Sequence, residues 1–422
     1  MDLEAAEFFV RSSVLGLGAR VLEEFLAQAG PRAQAPVCAE NHVARRMRSD
    51  GWREKTLRTI LGPVRWGRAR WVCPACGAVA YPDDALLGVA HTGFSPGAQR
   101  MMARTGASEC FAQAAEDLEL YADLSVGAKD VERVAEAVGR QAEDWMRRQG
   151  SLALATQSCA QRPADAHEEI ETFYVSFDGT GTPMRASELH AVPGKNGVAR
   201  TREVKLGCVF TQTGRDQEGR PVRDEGSTTY VGAIEESMDF GHRIHAEAVR
   251  RGMAQAPRVV ALSDGAAYNK TILAEHFPHA TAIIDLYHAH EHLADFIQNV
   301  ARQPLQGPLH RRARRALKRG HVEALLRRLR AALPASGPRR RQGLRQIAYF
   351  HKNAPAMRYG RFRKEGLFIG SGVIEAGCKT LVGKRLKQSG MFWSLRGANA
   401  IIALRCCIRS HRFEQFWEDQ AA

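Results

Sequence analysis

No stretch of the 422-residue chain holds the ~18 consecutive apolar side chains that a membrane-spanning helix needs. The opening Met1-Asp2-Leu3-Glu4 has neither the basic n-region nor the apolar h-region of a secretory signal. Together these absences predict a cytoplasmic protein with no membrane partner. Cysteine is scarce and odd in number, nine in all, and only Cys38, Cys73 and Cys76 cluster. That pattern excludes a disulfide framework and leaves room for one metal site in a reducing compartment. Internal repeats and low-complexity tracts are absent. The composition, 44% apolar and 25% charged, excludes disorder. Positive charge is in excess: 60 Lys and Arg against 46 Asp and Glu give +14, with a pI near 9.6. A polyanion partner follows, and nucleic acid is the first candidate.

The chain changes character along its length. Residues 1–35 read as an N-terminal helix punctuated by Gly30-Pro31. Residues 36–92 change character: the run from Thr56 to Cys73 alternates about a break at Gly62-Pro63, the pattern of a hairpin. Helical periodicity returns over 93–150, with starts at Ser95-Pro96 and near Asp130, and 149–168 reads as a polar linker. Five strand-like runs follow: 172–177, 204–211, 228–234, 258–263 and 281–286, with helices at 238–255 and 266–277. Residues 288–366 are helical and strongly basic. Residues 370–418 are helical with glycine breaks.

The first and fourth runs each end on Asp-Gly, at Asp178-Gly179 and Asp264-Gly265. In an open α/β sheet, functional groups collect at the carboxyl ends of neighbouring strands. Two carboxylates held together repel unless a cation lies between them. Oxygen ligands without nearby Cys or His suit Mg²⁺ or Mn²⁺. Either Asp-Gly alone would pass for an ordinary turn. A third acid, Glu375, stands apart: no Asp or Glu separates it from Glu414, and Lys379, Lys384, Arg385 and Lys387 surround it. A salt-bridge partner is the alternative reading of that residue.

The segments Asp178-Gly179-Thr180-Gly181, Leu262-Ser263-Asp264-Gly265-Ala266-Ala267 and Gly372-Val373-Ile374-Glu375-Ala376-Gly377-Cys378-Lys379 resemble the DDE segments of bacterial insertion-sequence transposases. The ISKra-like family, related to Mutator-type elements, is the group they resemble. The tail Arg385-Leu386-Lys387-Gln388-Ser389-Gly390-Met391, Trp393-Ser394 and Arg396-Gly397-Ala398-Asn399-Ala400 is similar to that family as well. The resemblance covers about residues 170–410. It implies an RNase H-like α/β catalytic core over 170–290 and 367–412, first strand beside fourth, interrupted by a basic all-α insertion over 291–366. It implies two-metal phosphoryl transfer by Asp178, Asp264 and Glu375, cutting element ends and joining them to target DNA. The family's Asp-x-x-His element falls on Asp285-Leu286-Tyr287-His288, where His288 would orient DNA or a leaving group, or simply finish a strand-to-helix junction. His290, Glu291 and His292 lack the spacing of a zinc protease and read as helix-start polar residues. The partners implied are double-stranded DNA, as terminal inverted repeats and target, and further copies of the chain, in a bacterial cytoplasm at the nucleoid.

Upstream, 111–120 and 128–139 read as helix, tight turn, helix, the shape that lays a helix in a major groove, although any helical hairpin shows the same apolar pattern. Lys129 and Arg133 are its candidate DNA contacts. Cys73-Pro74-Ala75-Cys76 is a zinc knuckle, and Cys38 with His42 supplies the second ligand pair of a zinc ribbon. Family members usually carry a second Cys-x-x-Cys there, so His42 departs from the pattern. From Arg302 to Arg345 stand fourteen Lys and Arg and one acid, Glu323. Such a one-sign run self-repels unless phosphates neutralise it. Arg311, Arg312, Arg314 and Arg315, with Lys379, Lys384, Arg385 and Lys387, are the candidate backbone contacts. Met391 and Trp393 would either wedge at a DNA end or, more in keeping with the apolar helix after them, pack as core. Two other readings fit the same residues: a catalytically inactive zinc-ribbon and helix-turn-helix DNA-binding regulator, and an RNase H-like nuclease without strand transfer.

Overall fold

The computed structural model describes residues 2–29, 34–38, 46–156, 170–190, 192–194, 197–303 and 306–421. The chain divides into two compact units, Met1–Gly139 and Arg140–Ala422.

In the first unit, α1 (Leu3–Ala29) precedes a hairpin of β1 (Arg48–Thr59) and β2 (Gly62–Val72), to which the short β3 (Val79–Ala80) adds. The turn is Ile60-Leu61, and Gly62, at φ +113°, opens β2 opposite Thr59. The Thr59 hydroxyl locks it, accepting from Leu61 N at 3.1 Å and donating to Gly62 O at 2.8 Å. Leu57, Trp66 and Val89 form a small core that Leu26 of α1 joins. After α2 (Pro82–Leu86) come α3 (Pro96–Ser108) and α4 (Phe111–Ala122). Ser95 caps α3 by accepting from Ala98 N at 3.2 Å, with Pro96 at the first helical position.

The helix α5 (Ala128–Thr156) runs across the division between the units. It is longer than the spacing predicts: the linker expected from 149 begins no earlier than 157, because Ser151–Thr156, rich in Leu and Ala, continues the helix.

The second unit is mixed α/β. Its main sheet has five strands, β4 (Thr172–Pro183), β5 (Thr201–Gln212), β6 (Thr229–Ala233), β7 (Val259–Ser263) and β8 (Thr281–Ile284), in the spatial order β6-β5-β4-β7-β8, beside two short two-stranded ladders. The strands β6, β5 and β4 pair antiparallel, while β7 is parallel to both β4 and β8. The first strand therefore lies beside the fourth. Phe173, Val175 and Phe177 of β4 point into one core with Phe240 and Ile244 of α6 (Ser237–Arg250) and Ile272 of α7 (Ala267–His276). Tyr174 alternates to the other face and stacks on Phe210, with ring centroids 4.8 Å apart.

One expectation about β4 is corrected. The strand does not stop at Asp178-Gly179; it continues to Pro183, paired residue by residue with Thr201–Leu206 of β5. The Asp264-Gly265 signal does mark a strand end, with Gly265 at φ +85°. Between β8 and the C-terminal segment, the helices α8 (Leu286–Asn299), α9 (Gln306–Lys318), α10 (Val322–Ala331), α11 (Pro338–Lys352) and α12 (Tyr359–Lys364) follow, with no strand among the described residues. The chain closes with α13 (Gly372–Gly377), a π-helical turn at Cys378–Gly383, α14 (Lys384–Leu386), α15 (Leu395–Arg409) and α16 (Phe413–Ala421).

Candidate active site and cysteine cluster

The register of β4 on β7 brings the two aspartates together. Ser176 pairs with Leu262, so Asp178 and Asp264 lie two residues beyond the same pair on adjacent parallel strands. Asp264 is held from its own loop: its Oδ1 accepts from Ala266 N at 2.8 Å and from the Nδ2 of the buried Asn269 at 2.6 Å. Asp178 Oδ1 accepts from Gly179 N at 2.7 Å. Both aspartates are half-buried.

Glu375 reaches this edge from α13, which packs on β4 and β5. Gly377 allows that approach, since a Cβ there would stand 2.8 Å from Tyr230 Cε1 and 3.2 Å from Leu206 Cδ2. The Ser371 hydroxyl donates to Glu375 Oε1 at 2.9 Å and fixes the carboxylate one turn back along the helix. Burial pushes the Asp178 carboxyl above the usual carboxylate range. The Gly179 N–H and the Cys378 thiol, 3.8 Å from Oδ2, pull it down, while the charges of Asp264 and Glu375 push it up. Asp264 and Glu375, 86 and 197 residues further along the chain, thus both lie within electrostatic reach of Asp178. Their oxygens are more widely spaced than ligands of a single ion. Among the described residues, the cysteines are the one group of three or more metal-type ligands with all ligand atoms within 4.8 Å.

Further residues brace this edge, of which Asp285 and His288 belong to the Asp-x-x-His element and the others to no motif. Asp285 is buried and bridges two segments: Oδ1 caps α8 through His288 N at 2.6 Å, and Oδ2 accepts from Ser371 N, just ahead of Glu375. Tyr349 of α11 donates its hydroxyl to Asp264 O at 3.1 Å and stacks on His292 at 3.6 Å. Burial, then the charges of Asp264, Asp285 and Glu291, hold its phenol protonated well above the usual range. Asn269, Ser371 and Tyr349 carry no motif; only the fold brings them to the acids. His288 lies on the first turn of α8, its Nδ1 3.3 Å from Glu291 Oε2 and its ring edge-on to His292.

In the first unit, Cys38, Cys73 and Cys76 converge, with Cys38 Sγ 3.6 Å from Cys76 Sγ. The Ala75 and Cys76 N–H groups point at Cys73 sulfur and lower its thiol to about 7. Three soft ligands, one with its thiolate favoured, fit a metal such as zinc. His42, the expected fourth ligand, lies outside the described residues.

The candidate DNA contacts divide by exposure. Arg311, Arg312, Arg314 and Arg315 project from α9 into solvent, and Lys379, Lys384 and Lys387 are exposed around the π turn, Lys387 donating to the Thr180 hydroxyl. Arg385 is corrected: it is fully buried, its guanidinium 5.0 Å from the centre of the Trp393 ring, and has no surface to offer a duplex. Trp393 is itself core, its indole N–H donating to Leu386 O at 3.1 Å. On α5, Lys129 and Arg133 are exposed and each pairs with an acid on its own helix, Glu132 and Asp130.

No family model and no curated protein matches the chain. Among solved structures, it is similar to one described as a Drosophila P element transposase strand transfer complex. The identity is 10% over 79% of this chain and 83% of that one, with a TM-score of 0.27, too low for a shared fold to be read from it.

Proposed function

We propose that the chain is a DNA transposase whose core is RNase H-like and whose Asp178, Asp264 and Glu375 form a DDE site for phosphoryl transfer. The observation that carries this reading is the register that sets Asp178 and Asp264 two residues beyond the same pair on adjacent parallel strands; burial first, and then the charges of Asp264 and Glu375, push the Asp178 carboxyl up. A cluster of like charges at a sheet edge is stabilised by divalent cations, and hard oxygen donors favour Mg²⁺ or Mn²⁺. When bound, such ions would supply Lewis-acid activation and charge neutralisation at a phosphodiester.

The remaining groups orient the donors. Asn269 and the Ala266 N–H hold Asp264 at one angle, and Ser371 holds Glu375. Asp285 ties the start of α8 to the segment that delivers Glu375, so the third acid is positioned by the strand next to the second. The exposed arginines of α9 and the lysines after Glu375 would take the DNA backbone, positioning it without reading sequence. Zinc on Cys38, Cys73 and Cys76, with His42, would brace a DNA-reading region in the first unit. Incubation of the purified protein with Mg²⁺ or Mn²⁺ and linear DNA carrying the sequences that flank its gene tests the reading. End cleavage and joining to a second duplex support it; cleavage without joining leaves a nuclease, and neither reaction leaves a DNA-binding protein.

A further inference from the structure

Where α8 meets α9, the second unit holds a hollow of about 1010 Å³. That is at the upper end of the ~300–1,000 Å³ usual for ligand sites. Its lining is of two kinds. One is aromatic. Phe368, in the segment after α12, lies edge-on to Tyr174 and Phe210. The ring of Tyr287 rests on Gly370, where a Cβ would stand 3.3 Å from Tyr287 Cε2. Tyr287 is nonetheless 68% exposed, an aromatic surface that the core does not use.

The other kind is cationic: Arg314 and Lys318 of α9 and Arg363 of α12, which donates to the Lys318 carbonyl. Among the described residues, none of these three pairs with a carboxylate. Glu291 is the one acid in the lining, and it is turned to His288 Nδ1 at 3.3 Å. Arg220, also in the lining, is already neutralised by Asp216 and Glu218. His290 lines the hollow as well, and its buried Nε2 has no hydrogen-bond partner among the described residues. Burial, then the charges of Arg314, Lys318, His310 and Arg363, hold its imidazole down at about 4. Positive groups thus crowd one ring, an arrangement that an incoming phosphate relieves.

A duplex backbone needs the cations alone. Its bases are hidden in the stack, so an aromatic wall beside the cations adds nothing to that contact. An unpaired nucleotide uses both: its base offers a π face to an aromatic ring and its phosphate an anion to the cations. The place in the fold agrees. Gly370 and Gly372 line the hollow, Ser371 between them is tied to Asp285, and α13 carries Glu375 three residues after Gly372. The hollow therefore opens beside the segment that delivers the third acid. We infer that it receives an unpaired nucleotide of a DNA strand, with the base against Tyr287 and the phosphate on Arg314, Lys318 and Arg363. This rests on the reading of the chain as DNA-binding, and adds to backbone contact a site for a single strand next to the acids.

The test is binding of the full chain, measured by fluorescence anisotropy in buffer without divalent metal, where the chemistry of the acids plays no part. The probes are a blunt duplex and the same duplex with an unpaired tail. The wild type should bind the tailed form more tightly by roughly tenfold, the scale of one base stacking on an aromatic ring. Tyr287→Ala should abolish that preference and leave the blunt duplex bound as before, while Tyr287→Phe should retain it. Arg314→Gln with Lys318→Gln should weaken binding of the tailed form and flatten its salt dependence. Excess free deoxyadenosine monophosphate should not displace the tail. Equal binding of both probes by the wild type, a preference that survives Tyr287→Ala, or displacement by the free nucleotide near the tail's own Kd would overturn the inference and leave the roles of the three acids standing. A wild type that binds neither probe would overturn the DNA reading along with it.

Discussion

Asp178 and Asp264 stand level on adjacent parallel strands, each two residues beyond the paired Ser176 and Leu262. Like charges so placed store repulsion that a divalent cation relieves, so cation binding should stabilise the folded state. Mg²⁺ or Mn²⁺ at ~100 times its Kd adds about 2.7 kcal/mol. Spread over a large unit, that raises Tm by several degrees. Scanning calorimetry of the wild type should show the rise, and Asp178→Asn or Asp264→Asn should lose most of it. An equal rise in the variants would place the cation elsewhere.

Gly377 of the Glu375 helix lies close against Tyr230 and Leu206 of the sheet. Gly377→Ala sets a methyl 2.8 Å from Tyr230 and should cost about 1–3 kcal/mol in a urea titration. It should also slow cleavage by roughly 10²-fold, because a displacement of ~1 Å at a reacting group costs that much. Unchanged stability and rate would show that α13 has room to move.

The cysteine triplet makes a separate prediction. Protein purified without chelators should carry one zinc per chain, and Cys73→Ser or Cys76→Ser should lower that content well below stoichiometry and destabilise the hairpin. Metal analysis by mass spectrometry decides it. Wild-type protein free of zinc would remove the site.

Glu247 supplies a pH-dependent term. It is buried, accepts from Arg250 Nη2 at 2.6 Å and Nε at 2.8 Å and from the Thr229 hydroxyl at 2.6 Å, and lies 3.8 Å from Arg412. Burial opposes its charge, but the two guanidiniums overcome that and hold its carboxyl below the usual range. A carboxylate depressed on folding contributes stability above its unfolded pKa, ~4.3, and loses it as pH falls toward the folded value. The gap in unfolding free energy between wild type and Glu247→Gln should be widest at neutral pH, on the order of 3–5 kcal/mol, and should close in acid. A gap constant from pH 7 to ~3 would contradict this account.

Much of the second unit was legible in the sequence because its strands are buried on both faces. The five apolar runs fall on the five strands of the main sheet and begin within three residues of them, while β4 continues well past its expected end. What periodicity could not see was decided by partners distant in sequence. Asp178-Gly179 reads as a turn, yet β5 offers a pairing edge through Leu206 and the strand continues. Arg385 reads as a phosphate contact in a basic run, yet it folds inward onto Trp393. Asn269, Ser371 and Tyr349 bear on the acids only because their helices end beside them. In the first unit the alternation about Gly62 revealed the hairpin, while nothing in the spacing of α1 marks Ala19 and Leu26 as the side that packs on it.

The most direct test of the central claim is divalent-metal-dependent cleavage of DNA bearing the gene's own flanking ends by four purified proteins: wild type, Asp178→Ala, Asp264→Ala and Glu375→Ala. The account predicts cleavage by the wild type and a loss of at least about 10³-fold in each variant, the scale expected when groups act as a unit, with DNA affinity nearly unchanged. Wild-type cleavage by any one of the three variants would contradict it.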